Sequence, residues 1–247
     1  VVGTVQGTTM KLYEDGSLLS SRDDGQEPAS LTRANHWLGR SNWDGNGYFQ
    51  GAIKSMQIWS RALDEAEVAS LYALGEACLV APSSAPTVSA VPTISTVPTP
   101  VPMPVPSPMP TVSVAPTLVP TPYDYTRALD HELCFDQCVM QDNVGGMDAT
   151  LVNGATCTPG EGVVFDGQDD YADLADQSLG GPMTIAVWAR WDALLNSWSR
   201  LLDFGDGQGD DNILIQNVGT SATIRFNIYV GSSNKYTQGG TIVVGSW

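Results

Sequence analysis

The sequence predicts an all-β protein, an antiparallel β-sandwich with one short helix and a long proline-rich linker. Short segments in which apolar and polar residues alternate recur at even spacing, and glycine, aspartate, asparagine and serine separate them, as in sandwiches and barrels. Thirteen of the 16 prolines lie in residues 82–122, and no residue from position 77 to 123 is charged. The chain therefore divides into ordered segments 1–80 and 123–247, joined by a linker, 81–122.

The first segment begins with predicted strands. These are residues 8–13, 18–22, 36–40 and 48–60. Asp15-Gly16 lies between the first two, and an Asp-Gly pair between strand-like runs is a strong hairpin signal. The apolar phase of the last strand shifts between Ile53 and Met56, which predicts a β-bulge.

One helix follows these strands. Asp64 and Glu67 have the acceptor-x-x-Glu spacing of a capping box. Apolar residues at helical spacing come next: Val68, Leu71 and Tyr72. Gly75 suits the end of the helix.

The second segment is predicted to be nearly all strand. The predicted strands are residues 163–165, 171–174, 184–192, 200–204, 212–216, 223–230 and 241–244. Alternation is clearest in the third of these. Ile185, Val187, Ala189 and Trp191 should point to one side, and the intervening residues to the other.

Several motifs resemble a known family. F-D-G-x-x-D-Y at 165–171, T-I-A-V-W-A-R-W at 184–191 and R-L-L-D-F-G at 200–205 resemble the front half of a laminin G-like jelly roll of the concanavalin A superfamily. The hairpin at 1–18, H-W-L-G-R-S at 36–41, G-Y-F-Q-G-A-I at 47–53 and the stretch 58–72 resemble its back half.

The order of these motifs is reversed relative to the family. The resemblance therefore implies a concanavalin A-like jelly roll with circularly permuted halves, residues 1–80 being the C-terminal half and residues 123–247 the N-terminal half. We interpret the chain as a piece of a tandem array of jelly rolls joined by proline-rich linkers. Since each half alone would expose unpaired strand edges, we expect the two to pack as one domain.

The linker and the cysteines suggest an oxidising compartment. Residues 82–122 interleave proline with serine, threonine and valine, which predicts an extended, solvated spacer with or without O-glycosylation. Four cysteines allow three disulfide pairings. The family resemblance implies Cys134–Cys157, which leaves Cys78–Cys138. A zinc site and reduced thiols are the alternatives.

Charge excludes one class of partner. There are 27 acidic and 11 basic residues, for a net charge of −16, so the chain lacks the basic footprint of a nucleic-acid-binding protein. Residues 123–247 alone carry 17 acidic and five basic side chains. No run of 18 apolar residues occurs, which predicts no membrane-spanning helix.

Part of this acidity predicts a calcium site. Calcium prefers carboxylate and carbonyl oxygens on irregular loops, and the candidate ligands are Asp166, Asp169, Asp170 and Asp206. The resemblance also implies calcium, because many laminin G-like domains use such a loop. Against it, Gln50, Lys54 and Ser55 replace the family's usual acidic residues. A solvated acidic surface is the alternative.

A loop of the first segment predicts a glycan platform. Sugar rings have apolar faces and polar edges, so they are bound by exposed aromatic rings beside amides and carboxylates. Trp43 and Tyr48, with Asn42, Asp44 and Asn46, fit this description. Further candidates are Trp198 beside Asn196 and Tyr236 beside Asn234. The alternative for Trp43 is packing against the sandwich.

Catalytic patterns are missing from the sequence. The E-x-D-x-x-E motif of glycosidases with this fold is absent, no nucleophile-elbow motif occurs, and His36 and His131 are the only histidines. We therefore predict a non-catalytic, extracellular or cell-surface recognition or adhesion module for a glycan or an extracellular protein, with neighbouring jelly-roll repeats as partners. The alternatives are a structural spacer of surface fibres and an accessory carbohydrate-binding domain of a secreted glycosidase.

Overall fold

The computed structural model of the chain describes residues 1–76, 78–79 and 123–247. The predicted linker, residues 81–122, lies outside the described residues. Among the described residues, no helix is long and apolar enough to cross a membrane.

The first segment contains six strands and one helix. The strands are β1 (Val2–Gln6), β2 (Thr9–Glu14), β3 (Ser17–Arg22), β4 (Leu31–Thr32), β5 (Asn35–Leu38) and β6 (Gln50–Trp59), and the helix is α1 (Glu65–Leu74). The hairpin of β2 and β3 forms around Asp15 and Gly16, which both have positive φ. This is the turn that the Asp-Gly pair predicts.

The second segment adds eleven strands to the part of the fold that the structure describes. They are β7 (Leu129–Cys134), β8 (Ala149–Val152), β9 (Thr156–Thr158), β10 (Gly162–Asp166), β11 (Tyr171–Leu174), β12 (Ser178–Leu179), β13 (Met183–Trp191), β14 (Arg200–Gly205), β15 (Ile213–Asn217), β16 (Ile224–Val230) and β17 (Ser233–Gly239). A 3₁₀ turn, Phe135–Gln137, follows β7 directly.

The strands form two large antiparallel sheets. The eight-stranded sheet has the order β3-β2-β1-β13-β6-β10-β9, with β7 also paired to β6. The seven-stranded sheet has the order β17-β16-β15-β14-β5-β11-β8, and β12 and β4 form a small separate pair. Both sheets contain strands of both segments: β1-β13-β6-β10 alternates between the segments in the eight-stranded sheet, and β5 lies between β14 and β11 in the seven-stranded sheet. The predicted antiparallel sandwich is confirmed, whereas the assignment of each segment to one half of a repeat stays a prediction.

The core lies between the two large sheets, and β13 shows how the sequence places it there. Ile185, Val187 and Trp191 belong to the main apolar cluster, and Ala189 packs against it. Trp188 points the opposite way and stacks on Tyr72 of α1 at 5.7 Å. The alternation in residues 184–192 is therefore confirmed. The predicted bulge in β6 is confirmed as well, because Trp188 pairs with Ser55 and Ala189 with Ile53, so that Lys54 is skipped.

Helix α1 covers the outer face of the eight-stranded sheet. Asp64 caps it, with the Asp64 side chain accepting from the Glu67 amide and the Glu67 side chain accepting from the Asp64 amide, which confirms the predicted capping box. Val68 and Leu71 are buried in a second apolar cluster. Its sheet members are Tyr13, Trp59, Leu129 and Ala186, and Leu63 and Tyr125 complete it. We call this surface the helix-covered face.

One strand prediction is wrong. Residues 241–244 form no strand, and Val243 and Val244 are exposed. The last strand is instead β17, which is polar and pairs with β16 along its whole length. An edge strand with one solvated side needs few apolar residues, so hydrophobic pattern alone misses it.

The disulfide pairing that the family resemblance implies is also wrong. The bonds are Cys78–Cys134 and Cys138–Cys157, not Cys134–Cys157 and Cys78–Cys138. Cys134 ends β7, and the chain after α1 brings Cys78 within 6.1 Å of it, measured between Cα atoms. The 3₁₀ turn then carries Cys138, in a left-handed conformation, to 5.6 Å from Cys157 on β9.

Candidate functional site

The outer face of the seven-stranded sheet is polar, because residues that alternate with core positions line up across its strands. One cross-strand row consists of Trp37, Asp203, Leu214, Asn227 and Tyr236. A second row consists of Arg200, Gln216, Arg225 and Gln238. The intervening residues, such as Leu202 and Phe226, are in the core. We call the side chains of these two rows, with Tyr229 and the rings packed on them, the polar face.

Trp43 lies on the polar face. Its ring centroid is 5.6 Å from that of Tyr229, and the Arg200 guanidinium carbon is 5.0 Å from the Trp43 ring centroid. Trp43 keeps part of its surface exposed to solvent. An arginine close to an aromatic ring is a favourable cation–π arrangement. One part of the Trp43 ring therefore packs against the sandwich, and the rest is exposed to solvent.

A buried carboxylate positions the loop that carries Trp43. Asp203 is fully buried and accepts hydrogen bonds from the Asn42 backbone N and Nδ2 and from Asn212 Nδ2, at 2.8–2.9 Å. Burial raises the pKa of the Asp203 carboxyl, and Arg200 is the largest influence in the other direction. Asn42 also accepts from Asn35 Nδ2. Asn42 therefore holds the loop in place, and its amide groups are already paired within the protein.

The other residues predicted for the platform are dispersed along the loop. Asp44 is exposed, and Asn46 Nδ2 donates to Ser41 Oγ. The Tyr48 carbonyl accepts from Asn196 Nδ2, which also donates to Gly167 O. No ring contact joins Trp43 and Tyr48 in the described part of the chain. The structure brings Trp43 and Asn42 to the polar face and directs the Tyr48 end of the loop toward the turn after β10.

A second group of rings surrounds Arg225. Its guanidinium carbon is 4.1 Å from the Tyr236 ring centroid and 5.2 Å from that of Trp198. Arg225 Nε and Nη2 donate to Gln238 Oε1, and burial lowers the pKa of Arg225. Trp198 and Tyr236 were candidates from the sequence, but Arg225 was missed, since nothing local marks an arginine in a strand as functional.

Trp198 has an unusual backbone conformation. Its φ is 58°, in the left-handed region that a bulky side chain rarely adopts. The Trp198 amide donates to the Gly219 carbonyl, and the Trp198 carbonyl accepts from Arg200 Nη1. Hydrogen bonds with Gly219 and with Arg200 on β14 therefore fix the Trp198 backbone at the border of the polar face. Residues in such conformations often occur at binding sites.

A third group lies at the other end of the sheet. The Arg40 guanidinium carbon is 4.0 Å from the Trp37 ring centroid and 4.7 Å from that of Tyr171. Trp37 is the cross-strand neighbour of both Asp203 and Asp173. The polar face thus carries aromatic rings from β11 to β17.

Among the described residues, two buried polar atoms of the polar face have no hydrogen-bond partner. Arg200 Nε and Gln216 Oε1 belong to side chains that are 3% exposed as residues. Arg200 Nε lies 3.6 Å from the Asp203 carboxylate, as an ion pair. Gln216 Nε2 donates to Asn227 Oδ1, whereas its carbonyl oxygen stays unpaired. Because buried polar atoms are usually paired, such atoms are capable of bonding a ligand or water.

The predicted calcium ligands divide into two places. Oxygens of Asp166, Asp169 and Asp170 lie within 4.8 Å of one another. Burial raises the pKa of Asp170, and the charges of Asp166 and Asp169 act in the same direction. Asp206 is not part of this group, and its Oδ1 accepts from the Ala34 amide at 2.6 Å. The sequence argued against calcium because Lys54 stands where the family has an acidic residue. Lys54 forms a salt bridge with Glu76, which offsets its positive charge, so that argument becomes weaker.

Comparison with known proteins supports the fold. Residues 1–69 match a laminin G family model described as the concanavalin A-like lectin/glucanases superfamily. Neither the curated proteins nor the solved structures contain a match to the chain. The matched residues include β1 to β6 and the first half of the capped helix, in a two-sheet antiparallel sandwich. Residues 1–69 are therefore similar to laminin G-like sequences of the concanavalin A-like lectin/glucanases superfamily.

Proposed function

We propose that the chain is a non-catalytic recognition module that binds a glycan on its polar face. The superfamily suggests a lectin-like binding module. The observation that supports the polar face as the binding surface is its combination of partly exposed rings with buried, unpaired polar atoms. On the helix-covered face, Tyr13 and Trp59 are buried beside α1, and Trp188 is partly exposed but stacks on Tyr72.

The mechanism follows from the chemistry of sugars. A sugar ring stacks its C–H face on an aromatic ring and directs hydroxyl groups toward polar atoms at the edge. Trp43 supplies a ring whose orientation is fixed by Tyr229 and by the Asp203 network. Gln216 Oε1 supplies an acceptor that lacks a partner. A preorganised ring and acceptor reduce the ordering cost of binding.

The positions of the histidines support a non-catalytic role. His36 is fully buried against Phe204 on the core side of β5. His131 lies on β7, and its Nδ1 is 2.7 Å from Asp142 Oδ2. Neither lies on the polar face, so the proposed binding surface has no histidine for general acid–base chemistry.

Two disulfides are typical of extracellular proteins, and we extend the proposal to an extracellular or cell-surface location.

In a tandem array, weak sites on neighbouring jelly-roll repeats would act together, because tethering raises the effective concentration of the second contact. An extracellular protein is the alternative ligand. A structural spacer of surface fibres and an accessory domain of a secreted glycosidase are the alternative roles.

Trp43→Ala tests the proposed surface on a glycan array. The matched control is Trp188→Ala, which removes a partly exposed tryptophan from the outer side of the other sheet. We expect the wild type and the Trp188→Ala variant to bind the same glycans and the Trp43→Ala variant to lose them. Unaltered binding by Trp43→Ala would reject the polar face. Absence of all glycan binding by the wild type would favour a protein ligand or a spacer.

We further propose that calcium binds the group Asp166, Asp169 and Asp170 and stiffens the neighbouring loops. Three clustered carboxylates fit a hard cation, which completes its shell with loop carbonyls and water. Calcium at tenfold over its Kd would stabilise the protein by roughly 1.4 kcal/mol. Asp170→Asn should abolish the calcium-dependent shift in Tm, and Asp206→Asn should preserve it. A wild-type Tm that is the same with and without calcium would contradict this proposal.

A further inference from the structure

Two Asn-Gly pairs occur in the sequence, Asn46-Gly47 and Asn153-Gly154. Asparagine is a chemically labile residue, and its side chain can be attacked by the backbone nitrogen of the next residue. Glycine at that next position favours the attack, because it has no Cβ to hinder the approach. The attacking nitrogen must also be free of a hydrogen bond, and the turn must open locally. The two pairs differ in both respects.

Asn46-Gly47 is fixed within the loop between β5 and β6. The Gly47 N–H donates to the Ser197 carbonyl at 2.9 Å, and Asn46 Nδ2 donates to Ser41 Oγ at 3.1 Å. A Cβ added at Gly47 would collide with Asn196, so this glycine packs closely against the loop between β13 and β14. The attacking nitrogen is therefore occupied, and its release requires that the two loops separate.

Asn153-Gly154 forms the turn between β8 and β9. Both residues are exposed and have positive φ, 61° and 126°. The Ala155 N–H donates to the Val152 carbonyl across the turn, whereas the Gly154 N–H donates no hydrogen bond within the described residues. β8 and β9 are each the edge strand of a different sheet. Because exposed turns at edges open at low free-energy cost, this turn can reach the geometry of attack without disturbing the core.

The side chain of Asn153 faces the acidic group of Asp166, Asp169 and Asp170. Asn153 Nδ2 donates to the Asp169 carbonyl at 3.1 Å. A Cβ built on Gly154 would lie 3.0 Å from Asp170 Oδ1. A carboxylate at position 153 would therefore add a fourth acidic side chain beside these three.

We propose that Asn153 is a spontaneous deamidation site whose product extends this acidic group. The Gly154 nitrogen loses its proton to solvent and bonds to Asn153 Cγ, while the Cγ–Nδ2 bond breaks and ammonia leaves. Water then opens the resulting succinimide ring. Cleavage between Cγ and the Gly154 nitrogen gives aspartate, and cleavage between the main-chain carbonyl carbon and that nitrogen gives isoaspartate. Both products carry one negative charge and cannot donate to the Asp169 carbonyl.

The added charge should strengthen the proposed calcium site, and this part of the inference rests on that proposal. Calcium affinity depends on the number of charged ligands around the ion. A new carboxylate next to the group should tighten calcium binding by about twofold to tenfold. The site would then become stronger as the protein ages.

Peptide mass spectrometry tests the modification on the intact, folded chain. The protein is incubated without calcium at mildly alkaline pH and physiological temperature. Each digest reports both asparagines, through the mass change that accompanies replacement of the amide NH2 by OH. We expect Asn153 to deamidate at least about tenfold faster than Asn46, because only the second pair must first break the hydrogen bond between Gly47 and Ser197.

Unfolding in guanidinium chloride is the control for intrinsic reactivity. Both pairs then have a free glycine nitrogen, so the two deamidation rates should converge. Asn153→Gln should leave its peptide unmodified, because a glutamine would have to close a larger ring. Equal rates at the two asparagines in the folded chain would overturn the proposal, and so would a difference in rate that persists after unfolding.

Asn153→Asp tests the effect on calcium, because it reproduces the aspartate product. Calorimetric titration with calcium should give a lower Kd for Asn153→Asp than for freshly purified wild type, whereas the neutral variant Asn153→Gln should match the wild type. An unchanged Kd would overturn the coupling to calcium and leave the deamidation intact. Absence of calcium binding by the wild type would overturn the proposed calcium site as well.

Discussion

The two outer faces of the sandwich carry tryptophans in opposite situations. On the helix-covered face, Trp59 is fully buried by α1, and its Nε1 donates to the Tyr125 carbonyl at 2.8 Å. On the polar face, Trp43 is partly exposed, and its ring packs against Tyr229 and Arg200. A face that the chain covers itself contributes to stability, whereas an uncovered face with ordered rings is available to a ligand.

Replacing each tryptophan should separate these two roles most strongly. We expect Trp59→Ala to lower the free energy of unfolding by about 3–5 kcal/mol, because it removes a large buried side chain. Trp43→Ala should lower it by only about 1–2 kcal/mol, since the loss is one aromatic pair and one cation–π contact. Urea unfolding measures both. Equal destabilisation by the two substitutions would show that Trp43 is a structural residue.

The disulfides give the next largest expected effect. Cys78–Cys134 joins the chain after α1 to β7 of the eight-stranded sheet and closes 56 residues, whereas Cys138–Cys157 closes 19. Chain-entropy estimates give losses of about 4 and 3 kcal/mol when each pair is replaced by serine. Urea unfolding of the two double variants measures this difference.

Peptide mapping without reductant is the control for that comparison. It should recover peptides cross-linked through Cys78–Cys134 and through Cys138–Cys157. Recovery of a Cys134–Cys157 peptide would contradict the structure and restore the pairing that the family resemblance implies.

Two buried carboxylates, one on each side of the sandwich, should respond to acid in opposite directions. Burial alone would raise the pKa of Asp142, but hydrogen bonds from His131 and from the amides of Glu132, Met147 and Val144 hold it well below its usual range. On the polar face, burial raises the pKa of Asp203. A depressed carboxyl pKa stabilises the fold above the unfolded-state pKa, and this stabilisation is lost as pH falls. A raised carboxyl pKa destabilises the fold at high pH, and this destabilisation is relieved as pH falls and the carboxyl is protonated.

The variants Asp142→Asn and Asp203→Asn test these signs. At neutral pH, Asp142→Asn should cost about 1–3 kcal/mol, the range for a charged buried partner. Its deficit relative to the wild type should shrink as pH falls below about 5. The wild type should gain stability as falling pH protonates Asp203. The free energy of unfolding of Asp203→Asn should therefore fall relative to that of the wild type as pH falls. Urea unfolding at several pH values measures both trends. If both variants changed in the same direction relative to the wild type, the opposite pKa shifts of Asp142 and Asp203 would be contradicted.

Local chemistry made part of the fold predictable from the sequence. The Asp64 and Glu67 capping box, the Asp15-Gly16 hairpin, the bulge in β6 and the alternation along β13 each depend on residues close in sequence. The irregular stretch at 241–244 and the polar strand β17 were missed, because an edge strand can form without an apolar pattern.

The sequence predicted only some of the rings of the candidate site, together with Asn42. Trp43, Trp198 and Tyr236 are visible in the sequence as aromatic residues beside amides or carboxylates. Arg225 and Arg40 are ordinary by local pattern, and their packing against aromatic rings follows only from which strands become neighbours.

By itself, the sequence determined an acidic, antiparallel sandwich with one capped helix, because alternation, turns and caps are short-range properties. Tertiary structure alone decided the cysteine pairing, the separation of Asp206 from the other predicted calcium ligands, and the face on which rings pack against arginines. Those features join residues up to about 190 positions apart, such as Trp43 and Tyr229. Only the packing of strands from both segments into the same sheets brings them within contact distance.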